Sequence, residues 1–154
     1  ASVHAWVRVR SDALNADALI GAMERGDFYV STGVTLTDVR FARNTLNVQV
    51  CPVDGVAYTI EFFTTKKGFD RTTTTFEDPA YEKKPARIGK RYSDSIGCVV
   101  KTVQGTEAAY TLASDDLYVR ARITSTQRPA IRASNEPEFT TAWTQPCLPS
   151  KGWF

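Results

Sequence analysis

Four acidic side chains are the first residues in this chain whose type and position suggest chemistry. Two carboxyl groups that face each other across a cleft can hydrolyse a glycosidic bond, and paired carboxylates at a turn can contribute to a calcium site. Acidic residues near strand ends are more often solvated or form turns, and calcium needs more oxygen ligands than these positions supply. We therefore predict turn and surface roles for Glu61, Glu107, Asp115 and Asp116.

The single histidine restricts the remaining catalytic options. A Ser-His-Asp or Cys-His arrangement needs that histidine beside a nucleophile and oriented by a third group, and no G-x-S-x-G elbow is present. A lone imidazole also lacks the partners that hold a metal ion. We predict a structural role for His4, and no catalytic residue, metal site or cofactor within this chain.

Two groups of residues are candidates for ligand binding. A basic cluster with tyrosines nearby could hold a phosphate or a stacked single strand, although interspersed acidic residues favour a solvated loop. Tryptophans could form a platform for sugar rings, a common use of β-sandwiches. The anion candidates are Lys83, Lys84, Arg87, Lys90 and Arg91, with Tyr81 and Tyr92 beside them, and the platform candidates are Trp143 and Trp153, whereas Trp6 is expected to pack.

Composition indicates an ordinary globular domain. Among the 154 residues, 42% are hydrophobic and 23% are charged, which suffices for a sizeable core. The formal net charge of +2 is too small to indicate a nucleic-acid or membrane partner, and no apolar run is long enough to span a bilayer. No signal peptide is visible. Cys51, Cys98 and Cys147 are consistent with three buried thiols or with one disulfide and a spare thiol, so they assign no compartment.

The first 33 residues have a strand, helix and strand pattern. Residues 3–9 alternate with period two, which predicts a strand. A helix follows, with Asn15 as its N-cap, Asp17 in the first turn and Arg25 in the last. Gly26 suits the left-handed residue that ends a helix. We predict this unit as residues 1–33.

The rest of the chain predicts an antiparallel β-sandwich, residues 34–154. Apolar residues alternate with polar ones in several short runs separated by turns, and no second helix is evident. Residues 69–90 interrupt the pattern with four consecutive threonines and two prolines, which predicts a long surface loop. Residues 137–154 are rich in proline and tryptophan and predict an extended tail over the domain. The predicted strands include 46–50, 58–62, 96–103, 108–112 and 117–123.

Residues 5–33 contain the patterns A-W-V-x-V-R and A-L-I-x-A-M-x-R-G-D-F-Y-V-S-T-G. They resemble the last barrel strand, last helix and exit segment of PHP-type metal-dependent hydrolases, the polymerase and histidinol phosphatase superfamily. The closest likeness is to the subgroup with an appended β-sandwich. The stretches 116–123 and 142–146 are similar to the end of that subgroup.

The resemblance implies an immunoglobulin-like β-sandwich preceded by a strand and a short helix left over from an α/β barrel. The family's His and Asp metal ligands are not present in this sequence, so divalent metals are expected only in a catalytic barrel upstream in the same polypeptide. The implied role is a non-catalytic accessory domain that packs against that barrel and shapes its entrance with residues 29–33. A homodimer through exposed strand 3–9 is also consistent with this interpretation. The alternative is a stand-alone ligand-binding module, with carbohydrate as the first ligand class.

Overall fold

The computed structural model describes residues 5–77, 88–129 and 139–149, and these are mainly β-structure with antiparallel sheets. Within these ranges, no helix is long and apolar enough to cross a membrane. The elements in chain order are β1 (Trp6–Val9), α1 (Ala16–Arg25), β2 (Phe28–Ser31), β3 (Leu36–Ala42), β4 (Thr45–Val50), β5 (Tyr58–Thr64), β6 (Thr73–Glu77), β7 (Ile88–Tyr92), β8 (Cys98–Gln104), β9 (Glu107–Thr111), β10 (Arg120–Ser125) and β11 (Thr141–Thr144).

Helix α1 begins and ends at the residues that the sequence predicts. The Asn15 side chain accepts a hydrogen bond from the Ala18 amide at 2.9 Å, which satisfies one of the unpaired N–H groups at the helix start. Asp17 lies in the first turn and Arg25 in the last, as the helix dipole favours. Gly26 has φ of +80°, and its amide donates to the Met23 carbonyl. The predicted capping residues are confirmed.

The strands form two main antiparallel sheets. The large sheet has the order β1-β2-β11-β10-β5-β8, and the small sheet has the order β3-β4-β9. The chain passes between them repeatedly, because β4 and β9 belong to the small sheet while β5, β8 and β10 belong to the large one. The two sheets therefore cannot form separately, and the architecture is sandwich-like.

The inner faces of the two sheets make the core. Alternate residues of β4 and β5 are buried, as their period-two pattern predicts. The Phe62 ring of the large sheet stacks on the Tyr110 ring of the small sheet, with centroids 5.8 Å apart. The core residues that are 0% exposed include Leu46, Val48, Ile60, Phe62, Val119, Ala121, Ile123 and Ala142.

Part of the predicted surface loop 69–90 is regular structure. β6 and β7 pair with each other as a separate two-stranded sheet, with Phe76 opposite Gly89. A Cβ atom at Gly89 would lie 2.7 Å from the Phe76 ring, so the ring packs over the glycine backbone. Every residue of β6 is exposed. The hydrophobic pattern missed this hairpin because no buried face imposes an alternation on it.

The predicted extended tail also needs correction. Thr141–Thr144 is β11, which lies between β2 and β10 within the large sheet. Trp143 is therefore opposite Val30 of β2 and Arg122 of β10. Because β2 pairs with β11, the large sheet continues across the expected boundary at residue 33. A strand of four residues carries too short an alternation to be recognised beside prolines.

The cysteines differ from both sequence interpretations. Cys51, Cys98 and Cys147 are all free thiols, and Cys51 and Cys98 are exposed. The structure thus has neither a disulfide nor three buried thiols. Cys51 follows β4 directly, and Cys98 begins the edge strand β8, so both lie at a strand end.

Core packing predicts that two phenylalanine substitutions lower the free energy of unfolding by very different amounts. Phe62→Ala removes a ring that is 0% exposed and is expected to lower the free energy of unfolding by about 3–5 kcal/mol. Phe76→Ala removes a ring that is 41% exposed on the separate hairpin, so the expected loss is below about 1 kcal/mol. Denaturant unfolding followed by circular dichroism measures both. Equal losses would contradict a core centred between the two main sheets.

Candidate functional site

A cleft lies where the edge of the small sheet meets the first two strands of the large sheet. Its volume is about 670 Å³, which is within the range of small-molecule sites. Strands β1 and β2 line one side and β3 lines the other. The lining segments are residues 8–10, 25–29, 36–41 and 145–148.

The sequence stretch R-G-D-F-Y builds one wall of this cleft. Gly26 ends α1 and lets the chain reverse. The Arg10 amide then donates to the Asp27 carbonyl at 2.7 Å, which joins the end of β1 to the start of β2. The Tyr29 hydroxyl accepts a hydrogen bond from the Leu36 amide at 3.0 Å and so fixes β3 against β2. These contacts set the width of the cleft.

The following residues, S-T-G, close the end of this wall by tight packing. The Ser31 hydroxyl donates to the Val34 carbonyl at 2.7 Å and accepts from the Gly33 amide at 3.0 Å. A Cβ atom at Gly33 would lie 2.5 Å from Thr140 Cγ2, which leaves room only for glycine. The whole stretch from Arg25 to Gly33 therefore has a structural explanation.

Positive charge predominates around the cleft. Arg10 and Arg40 share the Asp38 carboxylate, at 2.7 Å and 3.6 Å, and Arg25 pairs with Asp27 at 2.9 Å. The Arg8 side chain makes no hydrogen bond or ion pair with the described part of the chain. Four arginines against two aspartates leave an excess of two positive charges among the lining residues.

The inner part of the cleft is apolar. Leu36 and Tyr29 are buried there, and Val39 and Phe41 of β3 are partly buried beside them. The Cys147 thiol also lines this region, and burial raises its pKa. A raised pKa keeps the sulfur protonated at neutral pH, so Cys147 is not an activated nucleophile.

Sequence reasoning did not single out this cleft. Its arginines lie at positions 8, 10, 25 and 40, and no short motif connects them. The one available signal is the spacing of Arg8 and Arg10, since residues two apart in a strand share a face. The contribution of β3 depends on the packing of the small sheet and is not visible in the local pattern.

A second polar cluster surrounds Asp116, which is 1% exposed. Its Oδ2 accepts hydrogen bonds from the Tyr110 hydroxyl at 2.8 Å and from the Ala113 amide at 2.7 Å. Lys66 Nζ lies 2.7 Å from Asp116 Oδ1 and 2.9 Å from Asp115 Oδ1. The predicted turn role of this acidic pair is confirmed, because the Asp116 amide also closes a turn onto the Ala113 carbonyl.

The charges of this cluster stabilise one another. Burial tends to raise the pKa of Asp116, but the contacts with Lys66, Ala113 and Tyr110 outweigh it and lower that pKa below its usual range. The hydrogen bond to Asp116, followed by that to Asp115, raises the pKa of Lys66. Burial and the hydrogen bond to Asp116 raise the pKa of Tyr110. All three groups therefore hold their ordinary charge at neutral pH, which suits a structural clamp better than acid-base catalysis.

The Trp143 platform is occupied by arginine side chains. The Arg120 guanidinium lies 4.4 Å from the ring centroid of Trp143, and that of Arg122 lies 5.3 Å from it. Arg122 also binds Glu61 through a contact of 2.7 Å and stacks over Phe63. Such stacking contributes about 0.5–2 kcal/mol per pair. A sugar ring would have to displace Arg120 from that face of the indole.

The remaining candidates from the sequence are dispersed or undescribed. Lys90 and Arg91 are exposed on β7, where Arg91 stacks over Phe76, while Glu107 is exposed at the start of β9. Within the described ranges, no group of three His, Cys, Asp or Glu side chains could hold a metal ion. The sequence candidates that lie outside the described ranges are His4, Tyr81, Lys83, Lys84, Arg87 and Trp153.

A further surface feature is the exposure of apolar residues on β1, α1 and the turn between them. We call Trp6, Val7, Leu14, Ile20 and Met23 the β1–α1 surface. These five side chains are between 39% and 94% exposed. They make up five of the twelve exposed large apolar residues in the described ranges. Such a concentration in an 18-residue stretch is typical of an interaction surface.

Comparison with known proteins gives no match to a protein-family model, to a curated protein or to a solved structure.

The Asp116 cluster predicts that the free energy of unfolding of this fold decreases at acidic pH. A carboxyl whose pKa is lowered in the folded state stabilises the fold above its unfolded pKa of about 3.9 and loses that contribution as pH falls through the folded pKa. We expect Asp116→Asn to lower the free energy of unfolding by about 1–3 kcal/mol at neutral pH and to flatten its decline below about pH 4. Urea unfolding across this pH range measures both effects.

The matched control is Asp115→Asn, because the Asp115 side chain is 55% exposed and the Asp116 side chain is 0% exposed. We expect it to retain nearly the full neutral-pH stability. An equal effect of the two substitutions would show that the buried carboxylate has no special role.

Proposed function

We propose that this chain is a non-catalytic accessory domain of a PHP-like metal-dependent hydrolase of the phosphoesterase or amidohydrolase type. Its partner is the catalytic barrel upstream in the same polypeptide, and the divalent metals belong to that barrel. Docking takes place through β1 and α1. The observation that carries the proposal is the exposure of the β1–α1 surface on the segment that resembles the end of such a barrel.

Strand β1 supports this assignment as an edge strand. Among the described strands it pairs only with β2, and it is an end strand of the large sheet. Trp6 and Val7 are 39% and 45% exposed. An apolar edge strand readily pairs with a further strand. A strand of the proposed barrel would pair with this edge and cover both side chains.

Helix α1 supports it through its incomplete burial. Ala22 is the only fully buried residue among its ten, while Ile20 and Met23 remain 56% and 46% exposed. A helix of this length is marginal in water unless tertiary packing stabilises it. Contact with a barrel would bury the apolar side chains that the described part of the chain leaves in solvent.

The direction of the pairing between β1 and β2 limits which of these strands can belong to the barrel. β1 and β2 are antiparallel, whereas consecutive strands of an α/β barrel are parallel. β1 is therefore assigned as the last barrel strand, and β2 as the exit strand that begins an immunoglobulin-like sandwich. The movement of the chain between the two antiparallel sheets favours that type of sandwich.

Residues 29–33 are the exit segment, and their contacts favour a joining role. Tyr29 and Ser31 are buried, and both of their hydroxyl groups are engaged within this domain. These contacts hold both side chains within the domain. We assign this segment to joining the barrel rigidly to the sandwich, because its contacts fix β2 to β3 and to Thr140.

The first test is the intact mass of the native polypeptide, which is expected to exceed the 17.1 kDa of this chain and to carry a catalytic barrel before residue 1. Within that polypeptide, Val7→Lys combined with Ile20→Lys places charges in the docking surface. We expect a loss of at least about 2 kcal/mol in the stability of the barrel–sandwich contact, measured as increased hydrogen exchange of β1 and α1.

Val99→Lys is the matched control. Val99 lies on β8, the opposite edge of the same sheet, and its 46% exposure equals that of Val7 within one percentage point. It is expected to leave the exchange of β1 and α1 unchanged. A native mass of 17.1 kDa, or equal responses to the two changes, would overturn the proposed function.

A further inference from the structure

We propose that the cleft between β1, β2 and β3 binds a small anionic ligand that carries a carboxylate or phosphate group on an apolar body. This inference is independent of the docking proposal. Val7 and Arg8 are adjacent in a strand, so their side chains point to opposite faces of β1. Val7 of the docking surface and Arg8 of the ligand site thus lie on different faces of β1, while Trp6 shares the face of Arg8.

The charge arrangement selects an anion. The lining residues carry four arginines and two aspartates, so two positive charges have no acidic counterpart within the cleft. The Arg8 guanidinium has no partner in the described ranges, and Arg10 and Arg40 compete for the single Asp38 carboxylate. A carboxylate or phosphate entering here would supply the missing acceptors.

The chemistry of guanidinium groups favours these two anions. Each guanidinium has five N–H donors in a planar fork that fits a carboxylate or phosphate in a bidentate manner. The existing ion pairs do not prevent this, because the Arg10, Arg25 and Arg40 side chains are 62–70% exposed and such surface pairs contribute about 0–1 kcal/mol each. The side chains can therefore turn towards a ligand at little cost.

The apolar lining of the cleft favours an anionic ligand that also carries an apolar group. Tyr29, Leu36, Val39 and Phe41 lie between the charged rim and the core. Inorganic phosphate would leave this surface uncovered. A ligand with a ring or short chain attached to its anionic group would bury apolar area against these residues, which adds binding free energy in proportion to the area.

The test uses phenyl phosphate as the probe, with inorganic phosphate and benzyl alcohol for comparison. Amide chemical shifts of the ¹⁵N-labelled chain are followed during titration. We expect phenyl phosphate to shift amides of residues 8–10, 25–29 and 36–41, inorganic phosphate to bind more weakly, and benzyl alcohol to cause no saturable shift.

Two substitutions with opposite expected effects locate the site. Arg8→Gln removes the unpaired guanidinium and is expected to weaken phenyl phosphate binding about tenfold. Asp38→Asn removes the competing carboxylate and is expected to strengthen binding several-fold. A gain in affinity cannot result from a misfolded chain, so the second variant keeps the test decisive if Arg8→Gln is unstable.

Lys90→Gln is the matched control, because it removes one exposed positive charge on β7, outside the cleft. It is expected to bind phenyl phosphate as the unsubstituted chain does. The proposal is overturned if the shifts scatter over the surface, if inorganic phosphate or benzyl alcohol binds as tightly as phenyl phosphate, or if the three variants bind it equally.

Discussion

The packing of two sheet faces of unequal width is the constraint on which the rest of the structure depends. Six strands form the large sheet and three form the small one, and their apolar inner faces must cover each other to remove that surface from water. Phe62 and Tyr110 meet at this interface. Because three strands cannot cover six, β1 extends beyond the core. The arginine-lined cleft and the exposed β1–α1 surface are both consequences of that mismatch.

The arginines illustrate how position determines the role of one residue type. On the outer face of the large sheet, Arg120 and Arg122 stack on Trp143, and Arg122 is also held by Glu61. These side chains pack on the outer face of the large sheet. Beside β3, Arg8 has an unpaired guanidinium and Arg10 shares its counter-ion. Such incompletely compensated charge is typical of a recognition site.

The Asp116 cluster and residues 25–33 both contribute contacts that fix how the two main sheets are oriented. Asp116 connects the loop before β10 to the end of β5 through Lys66 and to β9 through Tyr110. The Tyr29 hydroxyl connects β2 to the start of β3. The Asp116–Tyr110 and Tyr29–Leu36 contacts each join the large sheet to the small one through a buried polar group, so the orientation of the sheets is set by hydrogen bonds as well as by apolar packing.

By itself, the sequence determined the features that depend on neighbouring residues. Asn15 and Gly26 set the ends of α1, since capping involves only the adjacent turn. Alternation in β4, β5 and β10 identified strands with a buried face, because a strand repeats every two residues. The mainly antiparallel β architecture follows from these local signals and from the turns between them.

Only the tertiary structure decided where distant segments meet. β11 lies inside the large sheet although Thr141–Thr144 is short and precedes Pro146, because its inner residues complete a core made by strands far away in the chain. The hairpin of β6 and β7 has no buried face to mark it. Arg8, Arg25 and Arg40 form one charged rim because β3 packs against β1 and β2. Long-range burial, which local patterns do not encode, brings these residues together.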